Sequence, residues 1–325
     1  MNPITLPNTG RTTTQLGFGC SSLMGATGRK ESLALLEHAF DAGIRHFDVA
    51  PMYGYGAAEG CLGDFMALHP DEVTITTKYG IPPPPNQGLM RAARRAIGPL
   101  LKAIPSVKKR LASAANTVTA AAPKAPFTAA AAQVSLDNSL RELGTDRIDL
   151  FLLHEAEAQE LTDDALLPFL ENAQAAGKIG AFGCGSTAGS IPALVTHKPA
   201  YTRILQYEWS VLGKPLGPLN AFTLHHRSLT EHFQELQTAL ARKPETRNRW
   251  STEINADLAQ PGMLAALMLK ASLVHNPESI VLVSSRNRHH ITENVRVASD
   301  DSLIEPARKL YTVAQREGAT VLGGS

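Results

Sequence analysis

Short apolar runs alternate along this chain with longer stretches in which apolar residues recur every three to four positions. The runs predict eight strands: Leu16–Cys20, Ile44–Asp48, Val73–Lys78, Ile148–His154, Ile179–Gly185, Ile204–Glu208, Ala221–His225 and Ser279–Ser284. Brief, nearly continuous apolar segments are what strands buried on both faces look like. Between them lie helical patterns. Lys30–Ala42 places Leu33, Leu36, Ala39 and Phe40 on one face, and Thr128–Leu143, Thr162–Ala176, Thr230–Ala241 and Pro261–His275 behave alike. The third of these helices opens with Thr162-Asp163-Asp164, residues suited to a helix start. Strand alternating with helix predicts a parallel sheet with right-handed crossovers. Eight such units predict an α/β fold, a (β/α)8 TIM barrel. A hairpin over Ile4–Leu16, turning at Asn8-Thr9-Gly10, is expected to seal the barrel bottom.

Residues 81–127 break this rhythm. They hold eight Lys/Arg and no Asp or Glu, which leaves the rest of the chain at a net −7. Met90, Ala93, Ile97, Leu100, Leu101 and Ile104 sit at helical spacing, interrupted by Gly98-Pro99. The segment reads as a long basic insertion on the loop after the third strand. One reading makes it a solvated excursion. The others make it a cover over an anionic cofactor or substrate, or a contact with an acidic surface. The chain, 1–325, is otherwise expected to be a single barrel domain.

Composition narrows the class. With 325 residues and 43% apolar content, the chain can bury a large core. A net charge of +1 does not point to nucleic acid or to a membrane surface. Cys20, Cys61 and Cys184 form no C-x-x-C pair, so neither a disulfide framework nor a zinc ribbon is indicated. No apolar stretch is long enough to span a bilayer, and the N-terminus lacks the apolar segment of a secretory signal. The expectation is a cytoplasmic protein with no membrane span and no metal.

In a barrel of this kind the working residues stand at the C-terminal ends of the strands. Asp48, Lys78 and His154 end three consecutive predicted strands, and Tyr53 follows Asp48 on the next loop. Singly, each has a plainer role: a helix cap, a solvated strand end, a satisfied core histidine, a loop anchor. Jointly they suit one task. A phenol with a pKa near 10 holds its proton tightly, and a neighbouring ammonium eases its release. A carboxylate fixes that ammonium, and an imidazole orients a carbonyl by hydrogen bond. Such a site protonates a carbonyl oxygen while a nucleophile attacks the carbon. If the nucleophile is hydride, a cofactor has to bring it, because no side chain can.

At these residues the chain resembles the aldo-keto reductases. GIRHFDVAPMYGYGAAEGCLG (residues 43–63) is similar to the family's long signature, TITTKYG (74–80) to the stretch carrying its lysine, and SLRELGTDRIDLFLLH (139–154) to the approach to its histidine. GKIGAFGCGS (177–186), ILQYEWSVL (204–212) and VLVSSRNRHHITENV (281–295) follow in the order of the cofactor-binding segments. The resemblance implies Tyr53 as general acid, Lys78 lowering its pKa, Asp48 paired with Lys78, and His154 orienting the carbonyl. It implies a nicotinamide held by Ser186 and Gln206; Cys20 and Ser21 stand at the first strand end, where they border the site or, for Cys20, form a small buried thiol. Gly185-Ser186 stand where the family has Ser-Asn, and His225 stands for the usual stacking aromatic. Ser284, Ser285, Arg286, Asn287, Arg288 and His290 fall at the phosphate segment, and Glu293 and Asn294 at the adenine. Two guanidiniums favour NADP, with NAD as the alternative.

Three other patterns compete. Gly183-Cys184-Gly185-Ser186-Thr187-Ala188 fits a dinucleotide fingerprint, but no acid stands about 20 residues on, and Glu208 lies late. His225-His226 and His289-His290 are poorly spaced to chelate one ion. Tyr207 and Trp209 read equally as pocket lining or packing. The expected function is reduction of a small aldehyde or ketone to its alcohol, reversibly. The alternatives are a cofactor-holding sensor with little turnover, and a lyase using Lys78 as a Schiff-base amine.

Overall fold

The computed structural model describes residues 1–25, 27–83 and 124–323, so most of the expected insertion, 81–127, lies outside the described residues. The chain opens with an antiparallel pair, β1 (Pro3–Thr5) and β2 (Thr12–Thr14). Then come β3 (Leu16–Gly19), α1 (Arg29–Asp41), β4 (His46–Asp48), α2 (Ala58–Met66), β5 (Thr74–Tyr79), α3 (Ala129–Leu143) and β6 (Ile148–His154). There follow α4 (Leu166–Ala175), β7 (Ile179–Gly185), α5 (Ile191–His197), β8 (Ile204–Glu208) and β9 (Phe222–His226). Last are α6 (Glu231–Arg242), α7 (Pro244–Ile254), α8 (Met263–His275), β10 (Ile280–Val283), α9 (Arg288–Ser299) and α10 (Ile304–Leu322). Strands β3 to β10 close a parallel barrel, as the alternation predicts. The seam joins β3 to β10, with Leu16, Gly17 and Phe18 opposite Val281, Leu282 and Val283.

Alternation along each strand sorts residues to two faces. Ile4 and Leu6 from the opening hairpin pack with Leu150, Leu152, Ala181, Ile204, Leu224, Ile280 and Leu282 inside the barrel. The hairpin is thus the expected plug. Arg11 locks it by binding Asp149 at 3.1 Å and the carbonyls of Asp71 and Val73 at 2.8 Å. Phe47, Phe151, Leu153, Phe182, Leu205 and Val281 face outward and pack under the helices.

Two details differ from the sequence expectation. The helix predicted over 162–176 begins at Leu166. Asp163 instead accepts the backbone N–H of Ala129 at 2.7 Å, so its carboxylate serves the first turn of α3. Helix α8 is apolar all round because it is covered on two sides. Leu269 and Leu273 face the barrel, while Leu264, Leu267, Met268 and Ala271 join a second apolar cluster with Trp250, Ile254, Leu310 and Val313. Among the described residues no helix is long and apolar enough to cross a membrane.

Candidate active site

The site is built where β4, β5 and β6 end. His46 and Asp48 share one face of β4, Thr74, Thr76 and Lys78 one face of β5, and Leu150, Leu152 and His154 one face of β6. Because Leu150 and Leu152 lie in the barrel interior, this face points inward, and its last residues crown the core. Lys78 is 2% exposed and Asp48 4%. An ammonium so buried needs partners. Lys78 Nζ donates to Asp48 Oδ1 at 2.5 Å and to the Val49 carbonyl at 3.1 Å. The other carboxylate oxygen, Asp48 Oδ2, accepts from Gln206 Nε2 at 2.7 Å. The carboxylate is therefore held from both sides.

Tyr53 lies on the short turn after β4. Lys78 Nζ sits 5.3 Å from its ring centre, and the His154 ring meets it edge-on at 6.2 Å. The four expected residues are thus brought together. Burial raises the Tyr53 phenol; Lys78 pulls it down without overcoming that rise, so the phenol keeps its proton at neutral pH. Burial alone would lower Lys78, but Asp48 and Tyr53 more than offset it, and the amine stays charged. Burial, with Lys78 and His226 adding, holds His154 well below the ordinary imidazole value. It is a neutral ring, and its Nδ1 has no hydrogen-bond partner among the described residues. The arrangement is a held proton donor, a fixed cation beneath it and a neutral imidazole at the same mouth.

Further round the mouth, Ser186 is buried with its N–H on the Gln206 carbonyl at 2.9 Å and its Oγ unpartnered among the described residues. A Cβ at Gly185 would stand 3.3 Å from Gln206 Oε1, so the glycine leaves the amide clear. Gly183 has the same interior role, since a side chain there would collide with the Ile204 backbone. The Gly183–Ala188 pattern is therefore barrel packing within and after β7. Ser284 Oγ donates to Ser22 Oγ at 3.2 Å, while Ser285 and Asn287 shape the start of α9. Arg286, Arg288 and His290 are exposed there. Glu293 is paired with Arg296 at 3.0 Å, and Asn294 is half-buried beside it.

One expected placement is corrected, and two open readings are resolved toward packing. His225 is fully buried and packs edge-on against Tyr207 at 4.7 Å, on the outer face of the barrel. Strand β9 runs one residue further than predicted, and the inward position two residues beyond Leu224 belongs to His226. Burial, with Arg227 and Lys78 adding, pulls His226 down to about 3, another neutral ring. Cys20 is fully buried with its Sγ toward the Phe18 carbonyl, and Ser21 stands exposed beside it. Trp209 stacks on Tyr311 at 5.6 Å and on His275, which makes it packing.

Two contributors escaped the sequence reading besides His226. Glu59, 6% exposed, accepts from Thr77 Oγ1 at 2.7 Å and ties α2 to β5 beside Lys78. Its signal was its place in the motif, next to an apolar face. Ser22, bonded to Ser284, had none. Among the described residues no three His, Cys, Asp or Glu side chains cluster to hold a metal.

A charged pair thus lies under a phenol at the mouth of a closed parallel barrel. The aldo/keto reductase family profile matches residues 15–305, and the chain belongs to that family. It is 35% identical over 178 residues to a D-threo-aldose 1-dehydrogenase from a Pseudomonas species, covering 53% of this chain and 49% of that protein. It is 34% identical over 194 residues to a pyridoxal 4-dehydrogenase from Microbacterium luteolum, covering 55% and 54%. The matched regions thus span about half the length of these curated relatives. Among solved structures, the holo form of an aldo-keto reductase from Bacillus halodurans superposes with a TM-score of 0.67 at 17% identity, over 95% of this chain and 96% of that one. One from Klebsiella pneumoniae in complex with NADPH gives 0.61 at 19% identity, covering 96% of each.

Proposed function

We propose that this protein is a nicotinamide-dependent oxidoreductase that interconverts a small aldehyde or ketone and its alcohol, with Tyr53 as the proton carrier. The observation that carries the reading is the Lys78 ammonium, bound to Asp48 at 2.5 Å and set under the Tyr53 ring. A bound nicotinamide would supply the hydride in reduction and accept it in oxidation. In reduction the Tyr53 proton passes to the carbonyl oxygen as that oxygen gains charge, and Lys78 stabilises the phenolate left behind. The neutral His154 orients the carbonyl by a hydrogen bond, and Asp48 keeps Lys78 charged.

This chain's residues fit such a cofactor. The unpartnered Ser186 Oγ and the clear Gln206 amide offer polar contacts for a carboxamide. Arg286 and Arg288, exposed at the start of α9, favour NADP because a helix N-terminus and guanidiniums both suit a phosphate. The named relatives, an aldose dehydrogenase and a pyridoxal dehydrogenase, support a small polar carbonyl or alcohol as substrate. The lyase alternative fares worse, since a Schiff base needs a neutral amine and Asp48 holds Lys78 charged.

Fluorescence titration with NADPH and NADH, then aldehyde reduction by wild type and Tyr53→Phe, tests this. NADPH should bind more tightly, and Tyr53→Phe should lose about 10²–10⁴-fold in kcat with cofactor binding kept. Full activity in Tyr53→Phe would overturn the acid assignment. Cofactor binding with no turnover on any carbonyl would favour the sensor.

A further inference from the structure

Tyr53 stands on an unusual turn. The three residues after it are all left-handed: Gly54 at φ +59°, Tyr55 at +58° and Gly56 at +81°. Glycine takes this conformation freely, but an aromatic side chain rarely does, so Tyr55 is held there by its surroundings. Local bonds close the turn: Tyr53 N–H to the Ala50 carbonyl at 3.0 Å, and Gly56 N–H to the Tyr53 carbonyl at 3.0 Å. What presses on it from outside is the loop after β3. A Cβ built at Gly54 would stand 2.5 Å from Met24 Cβ and 2.7 Å from the Leu23 carbonyl oxygen. The two loops are in backbone-to-backbone contact directly behind the proton carrier.

That loop is itself held. Met24 is left-handed at φ +56°. Its N–H donates to Ser32 Oγ at 3.0 Å, and Ser32, the fourth residue of α1, is fully buried. Thr27 Oγ1 shares the same hydroxyl at 2.9 Å. A buried hydroxyl on a rigid helix thus holds the Met24 N–H, and Met24 backs Gly54.

We propose that Ser32, Met24 and Gly54 are positioning residues: the loop after β3 is a strap that backs the turn of Tyr53 and sets its phenol over Lys78. The inference rests on the assignment of Tyr53 as proton carrier. Loosening the strap lets the phenol drift from Lys78. Proton transfer then slows, and the pull of Lys78 on the phenol weakens, so the phenol titrates higher than in wild type.

The test uses Ser32→Ala and Gly54→Ala in the full chain, with thermal unfolding to confirm that each is folded. Each should lose roughly 10–100-fold in kcat, as a misplacement of about 1 Å costs, while the NADPH dissociation constant stays within about 2-fold. NMR of ring-labelled tyrosine, with Tyr53 assigned by its loss in Tyr53→Phe, should show its titration moved upward. Ser32→Thr, which keeps the hydroxyl, should restore most of the rate. Two folded variants with wild-type kcat and an unmoved Tyr53 titration would overturn the strap. So would a kcat loss with no movement of that titration. An active Tyr53→Phe would bring down the acid assignment, a separate result from an inactive Tyr53→Phe beside a normal Ser32→Ala.

Discussion

The mouth of the barrel has two unlike halves. At the ends of β4, β5 and β6, charge is buried and bonded: Lys78 to Asp48 and Val49, Asp48 to Gln206, Glu59 to Thr77. From β7 round to α9, polar groups are left over. Among the described residues Ser186 Oγ is buried without a partner, and Arg286 and Arg288 stand exposed. The first half is bonded within the protein except at His154 Nδ1. The second has hydrogen-bonding and charge capacity that a ligand would fill. A site that moves a proton needs its acid and cation fixed beforehand, whereas a site that binds a group gains by leaving polar capacity open.

Four changes break or sharpen this contrast. The largest effect is expected from Asp48→Asn, which leaves the Lys78 ammonium buried without its counter-charge. Stability should fall by about 3–5 kcal/mol in urea unfolding. A loss no larger than that of a surface mutant would mean that the first half is not a tightly built unit. Next, replacing Arg286 and Arg288 together by Ala should weaken NADPH about 10-fold or more and leave NADH nearly unchanged. Equal weakening of both nucleotides would show that the arginines do not read a phosphate. A smaller effect belongs to Ser186→Ala. Both nucleotides should bind about 2–10-fold more weakly. The unliganded protein should lose no stability, because that hydroxyl has no partner to lose. A fall in its melting temperature would place Ser186 in the structural half. The smallest effect is a flat line. Tyr53 titrates above its ordinary ~10 and His154 well below its ordinary ~6.5, so each keeps its working form across neutral pH. Carbonyl reduction should hold level there and decline only as pH rises through the Tyr53 value. Alcohol oxidation, which needs the phenolate, should climb with pH. A reduction rate that titrates near neutrality would point to a different acid.

The sequence revealed the two halves unequally. All eight strands were legible because parallel strands buried on both faces read as short apolar runs. Ile148–His154, Ile179–Gly185 and Ile204–Glu208 match to the residue. Asp48, Lys78 and His154 were found by standing at strand ends, a position the alternation itself supplies. The second half failed where one residue decides the face. Ending β9 at His225 instead of His226 exchanged an outward ring for an inward one. Helix α7, PETRNRWSTEI, is mostly polar, and Trp250 and Ile254 alone are buried in it, so its periodicity was faint. The contact of Gly54 with Met24 joins two turns whose approach no spacing encodes. The basic insertion, the most distinctive stretch of the sequence, lies outside the described residues.

The seam between β3 and β10 has a consequence for how the chain is made. Leu16 finds Val281 only after more than 260 intervening residues exist, and Gln15 grips the carbonyls of Leu273 and Asn276 at 2.9 and 3.1 Å on the same late segment. At a ribosomal pace of roughly 5–20 residues per second, β3 waits on the order of 15–50 s with one edge unpaired. An unpaired strand edge is a template for other chains. Closure of the barrel therefore waits for β10, and a nascent chain that stalls before Ile280 carries an open strand edge.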